Sequence, residues 1–286
     1  MLKMRMISLV LAAFSWLPLL AEASTEVPYY GDAFYQSLQN GTSDRDLISL
    51  LQQVLASEHQ HRAGQNDLIL SNCGGKDCYS HHSIGYDKAR QFILGDFYLH
   101  QEGNKYAIRE VYCETDYGPE KFNGSKSPAP HKIPDNSVIN IEHTWPQSRF
   151  TSHFPTDMQK SDLHHLFPTD SEMNSVRGNH PFGEVSEDKK ILKCETSRFG
   201  KSTWGQPLAF EPPAAHRGNV ARALFYFSTR YQMQIDPVQE KFLKKWHEED
   251  PVDAEEKERN EAIMELQGNR NPFIDFPELA RKISDF

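Results

Sequence analysis

Residues 139–148 read INIEHTWPQS, and the fold turns on what happens between Ile139 and Pro146. Val138, Ile139 and Ile141 read as a strand. Along a strand, successive side chains point to opposite faces, so Glu142 and His143 should not share a site. Pro146 changes that expectation. It restricts Trp145 and cannot continue a central strand, so the strand is predicted to end around Glu142 to Thr144. At a strand end the alternation is released, and two neighbouring side chains can converge on one point.

Something must sit at that point, and the next motif supplies a partner. Residues 161–183 read SDLHHLFPTDSEMNSVRGNHPFG. Thr169 with Glu172 matches a capping box and Gly178 a helix stop, predicting a short helix over 170–177. Phe167-Pro168 reads as the turn that feeds it. Asn174 and Arg177 stand at i and i+3, on one face of that helix. A carboxylate oxygen from Glu142 and an amide oxygen from Asn174 are hard ligands suited to Mg²⁺, which completes its shell with water and substrate phosphate. His143, uncharged near neutral pH, is then the natural general base for a water attacking phosphorus. Singly, each residue has an ordinary reading: a solvated strand end, a capping amide, a packed histidine pair at His164 and His165, a helix-end charge at Arg177. Their order, with helix signals between them, points to a site.

The N-terminus, MLKMRMISLVLAAFSWLPLLAEAS, has the plan of a secretory signal peptide over residues 1–23. Lys3 and Arg5 precede a short apolar run, and Ala21-Glu22-Ala23 offers a cleavage site. An uncleaved membrane anchor is the rival, disfavoured by the short run and Pro18. Residues 24–286 are then expected to form a single domain, exported and not membrane-associated once the signal is removed. Export makes disulfides the first reading of the four cysteines. A local clip Cys73–Cys78 is favoured, leaving Cys113–Cys194 as a long-range staple; a zinc site is the alternative. The net charge of −9 disfavours a purely electrostatic grip on a polyanion. Acid is concentrated between Asp236 and Glu265, whereas residues 140–234 are nearly balanced, so a local site with its own cation stays open.

Elsewhere the patterning is coarse but readable. TSDRDLISLLQQVLASEH carries leucines at helical spacing behind a capping Ser43, and YDKARQFILGDFYLH reads as a second helix. KYAIREVYC reads as a strand ending at Cys113. NGSKSPAPHKIPDNS is a long surface loop. GNVARALFYFSTRYQM is a bulky apolar helix for the core. The next helix starts at Asp236 with Pro237 in its first turn, and another stops at Gly268. Strands before and between, with helices after, predict an α+β domain.

NIEHTWPQSRF, SDLHHLFPTDSEMNSVRGNHPFG and QGNRNPFIDFPELA resemble the motifs of the endonuclease I family of secreted and periplasmic bacterial nucleases. YDKAR, REVYC and GNVARALFYF add to the resemblance, which runs from about Tyr86 to Leu279. It implies a ββα-metal (His-Me finger) core surrounded by helices. It implies Glu142 and Asn174 as metal ligands, for Mg²⁺ with Mn²⁺ or Ca²⁺ as substitutes, and His143 as general base. Asp162 and His164 are expected to support the site, and Arg177, Arg149 and His165 to meet substrate. Lys160, Lys189, Lys190 and Lys193 are further candidate phosphate contacts. The implied activity is metal-dependent endonuclease cleavage of DNA and RNA with little sequence preference, leaving 5′-phosphate ends. The implied location is the periplasm or the exterior of a bacterium. A metallohydrolase for another phosphoester, or a non-catalytic binding protein of the same fold, are the rival readings.

Overall fold

In a computed structural model, which describes residues 26–286, the chain begins with two helices, α1 (Gly31–Gln39) and α2 (Asp44–Ala56). The expected signal segment lies outside the described residues. The predicted face of α2 is the buried one: Leu47, Leu51, Val54 and Leu55 face the core. Ser43 does occupy the N-cap position, but its hydroxyl turns to Asp44 Oδ2 at 3.2 Å and caps no helix amide.

Three short strands, β1 (Glu58–Gln60), β2 (Leu68–Leu70) and β3 (Cys78–Tyr79), form an antiparallel sheet in the order β2-β1-β3. Cys73 and Cys78 are disulfide-bonded beside it. Helix α3 (Tyr86–Gln91) widens into a π-helical stretch over Phe92–Phe97. There Gly95 meets the 123–137 loop so closely that an added Cβ would stand 2.7 Å from the backbone of Lys132. Next come β4 (Leu99–Glu102), β5 (Lys105–Arg109) and β6 (Asp116–Tyr117), paired β4-β5-β6. The strand expected to run to Cys113 stops at Arg109. The reason is Glu110, whose buried carboxylate turns back to accept the amides of Tyr112 and Cys113 at 3.1 and 2.5 Å and of Asp170 at 3.1 Å. Backbone donors that would have extended the ladder are used here. Cys113 then bonds Cys194, so both expected disulfides are present.

The opening motif forms β7 (Ile139–His143), antiparallel to β8 (Leu166–Asp170), with His143 opposite Leu166 and Ile139 opposite Asp170. Helix α4 (Thr156–Ser161) lies in the connection, and α5 (Ser171–Arg177) follows β8 directly. Two local expectations are corrected. Phe167-Pro168 belongs to β8 and is no turn; a proline is tolerated because the sheet has only two strands, so each is an edge. The cap of α5 is Asp170, which accepts the Met173 amide at 2.9 Å, and not Thr169, which is buried in the strand. The helix therefore starts one residue later than predicted and ends, as predicted, at Gly178 with φ 54°.

β9 (Val185–Lys190), β10 (Arg198–Ser202) and β11 (Ala209–Glu211) make the fourth sheet. Helix α6 (Arg217–Tyr231) is buried on nearly every side, Leu224 to Phe227 consecutively. Its buried Arg222 is paired with Glu256, and α6 is the axis of the core. Around it lie α7 (Pro237–Glu249), α8 (Ala254–Gln267) and the short α9 (Pro272–Asp275). Asp236 caps α7 through the amides of Val238 and Gln239, and Gly268 ends α8 in the left-handed conformation, φ 75°. The result is one α+β domain of small antiparallel sheets wrapped by helices. No helix among the described residues is long and apolar enough to cross a membrane.

Candidate active site

The end of β7 and the exposed face of α5 form the walls of one cleft of about 680 Å³. Asn140, Glu142, His143, Asn174 and Arg177 all line it. Glu142 and His143 thus open on the same space despite being adjacent. His143 is the last strand residue, and the chain beyond it turns at Pro146 into a short 3-10 turn, Gln147–Arg149.

Asn174 is held by its amide nitrogen, which donates to Asn140 Oδ1 at 2.8 Å and to the carbonyl of Ile141 at 3.0 Å. With both N–H groups engaged, the side-chain oxygen is the atom left for a ligand. Asn140 was not singled out from the sequence. Its signal was period two: it sits two residues before Glu142 on the same strand face.

Glu142 is almost fully buried, and its Oε1 faces the Arg177 guanidinium as an ion pair. Arg177 Nη1 stands 2.9 Å away. Burial pushes the Glu142 carboxyl up to about 7, against the opposing pull of the Arg177 charge. A buried carboxylate and an amide oxygen left free on one cleft are the hard donors that a divalent cation requires, with Arg177 as the counter-charge already beside the carboxylate.

His143 Nε2 lies 3.0 Å from the carbonyl of Lys160, and Nδ1 lies 3.2 Å from Gln147 Nε2. A carbonyl can only accept, so Nε2 carries the proton and Nδ1 keeps its lone pair on the Gln147 side. Burial lowers the imidazole pKa well below its ordinary value, and His165, Lys160 and Arg177 work in the same direction against the Lys160 carbonyl, which raises it. His143 is therefore neutral at neutral pH, the state a proton acceptor needs.

Other predicted residues are committed to internal contacts or fall elsewhere. Arg177 is buried, stacks on Phe182 at 4.3 Å, and donates to the carbonyls of His143, Thr144 and Gly178 at 3.0, 2.7 and 3.3 Å. It braces the strand end. Arg149 donates to the carbonyl of Asn179 at 2.9 Å and lines a neighbouring cavity, not this cleft. His165, expected at the substrate, is wholly buried behind His143, bonded through Nε2 to the carbonyl of Gln159 at 2.8 Å. Asp162 and His164 are buried too. The Asp162 carboxylate accepts from Tyr226 and Tyr231 on α6 at 2.8 Å each and from Gln267 at 2.9 Å, joining the site to the core. Burial works to raise its pKa, but His81, His164, His165 and the Gln267 bond hold it well below the carboxylate range. Lys193 pairs with Asp170, and Lys190 stands 3.6 Å from Glu172.

Tyr86 and Arg90, four residues apart on α3, also line the cleft. The YDKAR motif contained them, but nothing local said which way that helix faced. A separate cluster, His100, Glu102 and Asp116, lies on the β4-β5-β6 sheet, outside this cleft. Asp116 there is already 3.1 Å from Arg109.

Two antiparallel strands followed by a helix, with an acid, a histidine and an amide on one cleft, define an α+β protein of the ββα type. The profile of the family described as Endonuclease I matches residues 75–278, and the chain belongs to that family. An extracellular ribonuclease of Bacillus amyloliquefaciens is 37% identical over 163 residues, covering 50% of this chain and 53% of the relative. An extracellular deoxyribonuclease of Aeromonas hydrophila is 36% identical over 117 residues, 41% of this chain and 49% of the relative. A periplasmic deoxyribonuclease of the same organism is 35% identical over 117 residues, 41% and 48%. The chain spans about half the length of the curated relatives it matches.

Proposed function

We propose that this protein is an exported, metal-dependent endonuclease that hydrolyses phosphodiester bonds of DNA and RNA with little sequence preference. The observation that carries the reading is the convergence of the buried Glu142 carboxylate, Asn174 and a neutral His143 on one cleft. Relatives named as extracellular or periplasmic ribonucleases and deoxyribonucleases support the substrate class and the location.

Glu142 and Asn174 would hold a divalent cation, Mg²⁺ by their hard oxygen donors. Such an ion supplies electrostatic stabilisation of charge developing on the phosphate and the leaving oxygen. His143 Nδ1 takes the proton of a water whose oxygen bonds to phosphorus. The P–O3′ bond breaks, giving a 5′-phosphate and a 3′-hydroxyl that draws its proton from solvent. The Lys160 carbonyl stabilises the Nε2–H side of the ring as that proton arrives. Arg177 holds the carbonyls of His143 and Thr144, fixing the strand end on which acid and base depend.

Low sequence preference follows from the absence, among the described residues, of a helix or ribbon built to enter a groove and read base edges. The test is incubation with supercoiled plasmid and with RNA, with and without EDTA, followed by end-group analysis. Cleavage of both at many positions, EDTA-sensitive and leaving 5′-phosphates, is expected. EDTA-resistant cleavage or 3′-phosphate ends would reject the mechanism.

A further inference from the structure

A chain with net charge −9 that acts on a polyanion needs cations placed locally. Most of the candidates are committed elsewhere. Arg177 is spent on three carbonyls, Arg149 on the carbonyl of Asn179, and Lys193 and Lys190 face Asp170 and Glu172.

Two cations remain, one lining the α3 side of the cleft and one beside it, against Tyr86. Arg90 lines the cleft, and its one carboxylate neighbour among the described residues is Asp87, at 3.5 Å with a side chain 90% exposed. So exposed a pair is worth little and yields readily to a better anion. Lys160 has no carboxylate partner among the described residues. Both are seated against Tyr86: Lys160 Nζ lies 4.5 Å and the Arg90 guanidinium 5.8 Å from the ring centroid. The electron-rich ring face holds cations in place without neutralising them. Tyr86 in turn stands 5.4 Å from the His143 ring. The two elements are tied together, since Ser83, just before α3, meets Ser161 at the end of α4 with 2.8 Å between hydroxyl oxygens.

We propose that Arg90 and Lys160, held against Tyr86, form a subsite for a backbone phosphate neighbouring the scissile one. It rests on the nuclease reading and adds the wall on which the nucleic acid is gripped. The arginine fork suits two phosphate oxygens at once, and the ammonium adds a point charge. Lys160 has a double place: its carbonyl orients His143 and its ammonium lies against Tyr86, so only the latter is lost on truncation.

The test is steady-state cleavage of one duplex DNA by wild type, Arg90→Ala, Lys160→Ala and Arg90→Lys across a salt series, with thermal unfolding as the folding control. Each alanine variant should raise KM more than it lowers kcat. Each should also make the slope of log kcat/KM against log salt shallower by about 0.9, the value for one lost phosphate contact. Arg90→Lys should restore the slope, since it keeps the charge. Alanine variants with the wild-type KM and slope would overturn the subsite, as would losses confined to kcat. Wild-type protein that cleaves no nucleic acid would instead reject the nuclease reading itself, a distinct result.

Discussion

Replacing Arg177 with alanine separates a bracing role from a substrate-binding one. In the folded protein its guanidinium donates to three carbonyls, at 3.0, 2.7 and 3.3 Å, and stands 2.9 Å from the buried Glu142 carboxylate. Truncation leaves those acceptors unpaired and strips Glu142 of its counter-charge. Breaking a buried ion pair by removing one partner costs about 3–5 kcal/mol. For a domain of this size that corresponds to a fall in Tm of about 6–20 °C. Glu142 is already raised to about 7 by burial, and without the Arg177 charge it rises further, so less of it is ionised at neutral pH. Thermal unfolding by circular dichroism, paired with plasmid cleavage, reads both effects. A large drop in Tm with activity reduced chiefly in kcat is expected. Arg177→Ala with an unchanged Tm and a raised KM would refute the bracing role and return Arg177 to the substrate.

Acid should destabilise the fold steeply. His81 and His165 are lowered to about 4, and His164 and His216 to about 3, in each case by burial first. Unfolded, each takes a proton near 6.5, so between about pH 6.5 and 4 the unfolded state binds more protons and stability falls as pH falls, by up to about 1.4 kcal/mol per pH unit for each histidine. A Tm flat from pH 7 to 4 would contradict their burial as neutral groups. The two disulfides should differ in weight: joining cysteines 81 positions apart, Cys113–Cys194 stabilises by about 4.5 kcal/mol on the chain-entropy argument, against about 2 for Cys73–Cys78, five positions apart. Denaturant unfolding of the two paired Cys→Ala variants checks the order, and equal losses would break it.

The parts of the fold legible in the sequence are those set by local chemistry. The buried stripe of α2, the Asp236 cap and the Gly268 stop each depend on residues within a few positions of one another. Pro146 placed the strand end, and with it the convergence of Glu142, His143 and Asn174 on one cleft. Where two adjacent side chains could both cap, no local pattern distinguishes them, and Asp170 takes the place expected of Thr169. The early end of β5 needed Glu110 to reach the amide of Asp170, a contact across 60 positions. His165 beside His164 looked available to substrate, yet only the packing of Phe227, 4.5 Å from its ring, shows it enclosed. Tyr86 and Arg90 reach the cleft because α3 packs beside α4, which no pattern within YDKAR records.

The most direct test of the central claim is single-turnover cleavage of plasmid by His143→Ala, measured alongside Mn²⁺ binding by the same preparation. If Glu142 and Asn174 hold the cation and His143 only accepts the proton, metal binding persists while cleavage falls by about 10²–10⁴-fold. Cleavage at the wild-type rate by a folded, metal-binding His143→Ala variant would contradict the account.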